Sequence, residues 1–172
     1  MTALENLQLF YKQVDTLANH LTKENSDFIN CKQGCSDCCI DEITVFTIEA
    51  KNIKCNEKKF LSNNTPTIKG KCVFLSKNNE CGIYKNRPYV CRTQGLPLRW
   101  FDELETGELI EYRDICPVNE PEEKLVNLSS EKFYLIGSFE TQLQNLQKQY
   151  CDEINKKENY FERIKLRDLF KK

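Results

Sequence analysis

Nine residues, Cys31-Lys-Gln-Gly-Cys35-Ser-Asp-Cys38-Cys39, hold four thiols among side chains that are otherwise small, polar or glycine. Core packing does not ask for that composition. Soft, electron-rich sulfur is what zinc or an iron–sulfur cluster binds, with Zn–S bonds of about 2.3 Å and four ligands closing a tetrahedron. Four more cysteines follow, Cys72, Cys81, Cys91 and Cys116, and a thiolate-bound metal centre accounts for all eight. The x2 spacing of Cys35 and Cys38 can chelate one ion. Cys38 and Cys39 are adjacent, and neighbouring side chains diverge in most backbones. Either they serve different ions or one stands behind the ligand shell, so the doublet hints at more than one metal. Cys116 lies far past Cys91 in sequence, and its membership depends on the fold bringing it back. Cys55 and Cys151 stand alone in helix-like stretches and read as structural thiols.

The approach to Cys91 is Arg87-Pro88-Tyr89-Val90-Cys91-Arg92, where proline stiffens the chain. Four thiolates around Zn²⁺ leave a net charge of about −2, and guanidinium donors nearby offset it and hydrogen-bond the sulfurs. Arg87 and Arg92 are both candidates, and Arg92, adjoining a proposed ligand, is the stronger. The lone His20, among lysine and asparagine, reads as a solvated helix-end residue and is left out of the site. Trp100 reads as core rather than as a cover for the metal.

Length and composition bound the rest. At 172 residues, 40% apolar and 30% charged, the chain suits one globular domain spanning 1–172. A net charge of −1 supplies no field drawing it to nucleic acid or anionic lipid, and nothing points to a particular protein partner. The opening MTALENLQLFYKQVD breaks its apolar residues with Glu, Asn and Gln, unlike a signal peptide, and no run approaches the roughly 20 apolar residues of a membrane span. A cytoplasmic, reducing compartment is expected, where ten cysteines favour metal over disulfides. There is no nucleotide loop, paired catalytic carboxylates or Ser/His/Asp set, and a single histidine removes the commonest general base. Enzymatic activity is left open, because electron transfer by a cluster needs none of these.

Positioning the thiols requires a scaffold. Leu4, Leu7, Phe10, Tyr11, Val14, Leu17, Ala18 and Leu21 recur at helical steps and predict an amphipathic helix over 2–22. Gly34 argues for a loop across the cysteine cluster. A short strand is expected over 42–46, then a helix capped by Thr47 and running to about Phe60. Residues 71–75 and 81–84 read as a hairpin-like pair delivering Cys72 and Cys81. A second hairpin is expected within 96–113, turned at Thr106-Gly107 and leading to Cys116. The acidic stretch 119–123 breaks the pattern. A long helix then starts at Ser129 or Ser130, with Phe133, Ile136, Phe139 or Glu140, Leu143, Leu146, Tyr150 and Ile154 on its face, and packs on the first. The tail from Lys156, seven basic and three acidic residues, reads as a solvated helix face rather than a phosphate-binding one. The expected class is α+β, mostly helical, with two amphipathic helices backing cysteine-rich loops and short β-hairpins around a metal centre.

The order Cys-x3-Cys-x2-Cys-Cys, then Cys72-x8-Cys81-Gly-Ile-Tyr84-x2-Arg87-Pro88-x2-Cys91-Arg92, resembles the YkgJ-type cysteine-cluster family of zinc- or iron-chelating domains. The motif covers about residues 31–92, and Arg-Ile-Lys-Leu-Arg at 163–167 is similar to the tails of such proteins. The resemblance implies metal binding by Cys31, Cys35, Cys38, Cys39, Cys72, Cys81 and Cys91, with Cys116 the least sure. A role in structure or metal handling follows most simply. The alternative is an iron–sulfur redox protein or a protein-modifying enzyme, since a related cluster occurs in flagellin lysine methylases, whose remaining sequence this chain does not match. Cys31-x3-Cys35-x2-Cys38 also has radical SAM spacing, but a helix precedes it, Asp37 replaces the usual aromatic, and repeated strand–helix units are absent.

Overall fold

Thr2 and Glu5 start the first helix. Thr2 Oγ1 accepts the Glu5 N–H at 3.3 Å and Glu5 Oε2 accepts the Thr2 N–H at 2.8 Å, satisfying two donors that a helix start leaves open. The computed structural model describes residues 1–31, 34–119 and 123–171. Among these the order is α1 (Ala3–Glu24), β1 (Thr44–Phe46), α2 (Thr47–Asn56), α3 (Lys58–Asn63), α4 (Tyr89–Arg92), β2 (Leu98–Glu103), β3 (Leu109–Asp114), α5 (Glu123–Val126), β4 (Tyr134–Leu135), α6 (Glu140–Glu153) and β5 (Arg163–Lys165). Short 3-10 turns occupy Tyr84–Asn86, Ser130–Lys132, Lys157–Asn159 and Leu166–Phe170. Helix outweighs strand, in the α+β class expected.

Helix α1 buries Ala3, Leu7, Phe10, Tyr11, Val14, Ala18 and Leu21, the anticipated stripe. It packs along α6, joining Leu143 and Leu146 in one core with Ile48, Tyr89, Leu96 and Tyr134. Polar links run beside that seam, from Asn6 Nδ2 to Gln149 Oε1 at 3.1 Å and from Ala3 N to Glu153 Oε1 at 2.8 Å. His20 is exposed, as expected.

The long second helix is shorter than its apolar spacing suggested. Gly137 takes φ +99°, a left-handed value that ends one course of the chain and begins another. Before it, Tyr134–Leu135 forms a strand parallel to Leu98–Arg99, and only from Glu140 does α6 begin. Phe133 therefore leaves the helix face and joins Phe28, Ile115 and Leu125 in a separate core. The predicted helix from Thr47 to Phe60 is likewise two helices, broken at Glu57, and Phe46 rather than Thr47 takes the capping position. Of the acidic stretch at 119–123, residues 120–122 lie outside the described residues.

The strand near residue 44 is present and pairs antiparallel with β5, so the tail is not the solvated helix its charges suggested. Leu166 and Leu169 from that tail are buried with Val45, Ala50, Ile53, Val73, Phe74, Leu75 and Ile83, and Cys72 lies in the same core. The hairpin Leu98–Glu103 with Leu109–Asp114 forms as expected around Thr106-Gly107. Trp100, expected in the core, is only half-buried and stacks on the exposed Tyr112 at 5.5 Å. The 71–84 pair keeps a hairpin course but is held by one isolated bridge, Leu75 with Cys81, rather than by strands. No helix among the described residues is long and apolar enough to cross a membrane.

Candidate metal centre

Of the cysteine loop expected over 31–39, residues 32 and 33 lie outside the described residues; the remainder is free of helix and strand, with Gly34 at positive φ. All ten cysteines are free thiols; Cys55 is exposed and Cys151 buried, each on a helix apart from the others. Of the remaining eight, Cys39, Cys72 and Cys81 lie against one core, and Cys31 and Cys116 are tied together beside another.

Backbone pairing builds the first. The Cys72 N–H donates to Cys39 O at 2.9 Å, beside an antiparallel bridge between Ile40 and Lys71, so two distant segments set Cys39 against Cys72. A bridge between Leu75 and Cys81, with Gly82 N donating to Phe74 O at 2.9 Å, folds Cys81 back over the same segment. Cys91 arrives on α4, which Pro88 precedes and Cys91 N closes by donating to Pro88 O at 3.0 Å. The Tyr89 N–H at the start of that helix donates to Glu49 Oε1 at 2.9 Å, and the Tyr89 ring packs on Phe10 at 5.5 Å. Glu49 is buried and also accepts the Tyr11 hydroxyl at 3.1 Å. Helices α1 and α2 thus seat the turn that presents Cys91.

Asn119 builds the second. Its Oδ1 accepts the N–H groups of Asn30 at 2.7 Å and Cys31 at 3.2 Å, while its Nδ2 donates to Gly95 O at 2.7 Å. The Asn119 N–H closes a turn on Cys116 O at 2.9 Å, and one buried side chain joins the Cys31 loop, the Cys116 turn and the segment after Cys91. Gly95 has φ +87°, and a Cβ there would stand 2.7 Å from Cys31 Sγ, so glycine is what lets the sulfur approach. Phe28 and Ile115, just upstream of the two cysteines, anchor the pair in their own core.

Electrostatics follow the same division. Burial pushes the Cys31 thiol up to about 11, helped by the charges Cys116 and Cys35 would carry and, less, by Cys38. Burial pushes Cys91 to about 12, with Cys72 and Cys81 adding to it, and raises Cys72 and Cys81 themselves. Cys39 donates a hydrogen bond to Cys38, which lowers Cys38 and raises Cys39. Cys38 touches both sets: its charge bears on Cys31 on one side and on Cys39, Cys72 and Cys91 on the other. It also shares with Cys116 the wall of a groove of about 420 Å³, whose lining includes Asp37, Gln94 and Asp114.

The two candidate arginines part company. The Arg92 guanidinium, 6% exposed, turns to α1: Nη1 meets Asp15 Oδ2 at 2.6 Å, Nη2 donates to Lys85 O at 3.1 Å, and the group lies 3.9 Å above the Tyr11 ring. Arg87 stacks at 3.9 Å over Tyr84; its positive charge adds a little to the lowering of Cys38 and works against the burial that raises Cys81. Its buried Nε has no partner among the described residues.

Asn119, Gly95, Glu49 and the pair Asp41 and Arg167 were not singled out from the sequence. Of these only Arg167 left a trace there, in the family-like tail at 163–167; a lone asparagine, aspartate or glutamate gives no local pattern.

Among the described residues, no three Cys, His, Asp or Glu side chains converge closely enough to hold an ion as they stand. The donor chemistry nonetheless fits a soft cation. Sulfurs that burial and mutual repulsion keep protonated are those whose protons a thiophilic metal displaces. A family model described as "putative zinc- or iron-chelating domain" matches residues 30–165. No curated protein and no solved structure matches the chain.

Proposed function

Since the chain belongs to the CxxCxxCC family of zinc- or iron-chelating domains, we propose that it carries two thiolate centres, one from Cys31, Cys35, Cys38 and Cys116 and one from Cys39, Cys72, Cys81 and Cys91. What supports this is that Cys31 is tied through Asn119 to the Cys116 turn and feels Cys116 and Cys35, while the Cys39 and Cys72 backbones are bonded together and Cys91 feels Cys72 and Cys81, with Cys38 bearing on both sets. Four sulfurs each is the complement of a closed tetrahedral site, and a filled shell leaves no position for substrate. Zinc suits both, and the role is structural or one of metal handling in a reducing cytoplasm. Bound zinc supplies folding free energy outright, on the order of 10–16 kcal/mol per structural site at neutral pH. Arg87, whose charge bears on Cys38 and Cys81 and whose Nε has a donor to spare, would offset the surplus negative charge. Arg92 ties the Cys91 turn to α1 instead.

One observation favours a second reading. The groove beside Cys38 and Cys116 gives the first centre a face to solvent, which an iron–sulfur cluster exchanging electrons or modifying a partner requires. Metal counts and the visible spectrum of anaerobically purified protein separate the two. Two zinc ions per chain and no colour support structural or handling zinc, whereas a broad absorption near about 400 nm with iron supports the cluster. Cys39→Ser and Cys116→Ser should each remove one centre and leave the other. Loss of all metal from either variant, or a single ion in the unaltered chain, overturns the two-centre assignment.

A further inference from the structure

The tail after α6 returns across the whole chain to reach the cysteine loops. Strand β5 pairs with β1 in the register Thr44 with Lys165 and Phe46 with Arg163. Beyond it, Arg167 faces two segments at once. Its Nε donates to Asp41 Oδ1 at 3.1 Å and its Nη2 to Asp41 Oδ2 at 2.8 Å, a two-pronged pair that fixes orientation as well as distance. Its Nη1 donates to Thr67 O at 2.7 Å, and Nη2 also reaches Lys71 O at 3.3 Å. Asp41 in turn accepts the Gly70 N–H at 3.1 Å.

These contacts bracket two proposed ligands. Asp41 lies two residues past Cys39, and Lys71 immediately precedes Cys72, the two thiols whose backbones meet through Cys72 N and Cys39 O. The Asp41 side chain is only 10% exposed and that of Arg167 22%, so the pair is shielded from competing water. Leu166 and Leu169 on either side are buried against the core that holds Cys72. Arg163 offers an internal comparison. It also fastens the tail, through Nη2 to Thr44 O at 2.7 Å and Nε to Thr44 Oγ1 at 3.0 Å, but reaches neither cysteine segment.

We propose that Arg167 is a positioning residue for the Cys39, Cys72, Cys81 and Cys91 centre, clasping the Cys39 and Cys72 segments together so that docking of the C-terminal tail and capture of metal there are one linked event. This rests on the two-centre reading. Linkage is reciprocal: a docked tail tightens the metal, and bound metal tightens the tail.

The test is chelator competition with zinc on the full chain, comparing Arg167→Lys, which keeps the charge but loses the fork, with Arg163→Ala. Outer hydrogen-bond partners of metal ligands typically contribute 10- to 100-fold in affinity, so Arg167→Lys should weaken one centre by about that factor and leave the other unchanged. Arg163→Ala should stay within about threefold of the unaltered protein at both. Should Arg167→Lys fail to fold, amide exchange of residues 164–170 in the unaltered chain, with and without zinc, reads the same linkage, and bound zinc should slow it. Unchanged affinity in Arg167→Lys, equal weakening in both variants, or tail exchange indifferent to zinc overturns the proposal while the two centres stand. An unaltered chain that takes up only one ion, or none, defeats the two-centre reading itself and the clasp with it.

Discussion

Replacing Asn119 with alanine removes three hydrogen bonds at one stroke. Two of them, from Asn30 N and Cys31 N, end in groups that water can partly reach; the third leaves Gly95 O buried without its donor. At about 0.5–1.5 kcal/mol for each neutral bond, and the higher figure for the buried one, unfolding free energy should fall by about 2.5–4.5 kcal/mol. A purely structural loss would stop there. Asn119 also sets the Cys31 loop against the Cys116 turn, so the variant should bind metal at that centre about 10- to 100-fold less tightly, a further 1.4–2.7 kcal/mol or so in the loaded protein. Urea denaturation with and without a chelator measures both quantities, and the deficit should be larger with metal present. Asn119→Asp is a useful companion, since it keeps the acceptor for Cys31 N but turns an oxygen toward Gly95 O; it should recover little. If Asn119→Ala loses less than about 0.5 kcal/mol, the hydrogen-bond geometry around Cys31 is wrong. Equal deficits in the stripped and loaded protein would reduce Asn119 to a core residue with no part in the metal site.

Two further substitutions probe the same scaffold. Gly95→Ala places a Cβ 2.7 Å from Cys31 Sγ at a φ of +87°, costing about 1–2 kcal/mol in backbone strain alone, and should lower the metal count by one while sparing the Cys72 side; a full count would show that the contact is slack. Glu49 is buried, and desolvation raises its pKa above the usual carboxylate range. The folded chain therefore holds that proton more tightly than the unfolded one, and stability falls as pH climbs above the unfolded value of about 4.3 until the folded pKa is passed. The stability difference between the native chain and Glu49→Gln, followed by denaturation from about pH 4 to 7, should shift steadily against the native chain, and a flat difference would place Glu49 outside the low-dielectric interior.

What the amino-acid sequence made legible is what depends on near neighbours. The thiol spacing and the stripe of α1 are local patterns; the first matches a family model and the second is buried as its periodicity predicts. The second helix misled because Phe133 and Ile136 keep helical spacing with Leu143, yet Gly137 at positive φ and the free edge of Leu98–Arg99 claim that backbone first. Arg92 illustrates a different failure. Adjacency to Cys91 suggested a shared purpose, but successive residues on a helix point about 100° apart. Arg92 is carried round to Asp15 and Tyr11, whereas it is the charge of Arg87, five residues earlier and outside the helix, that bears on Cys38 and Cys81. The Cys38–Cys39 doublet resists a local reading for a related reason. Its two thiols are hydrogen-bonded to each other, and Cys38 bears on Cys31 on one side and on Cys72 and Cys91 on the other. What surrounds the doublet is set by segments far along the chain, which Asn119 ties to the Cys31 side and Arg167 to the Cys39 side, and adjacency in sequence carries no record of either.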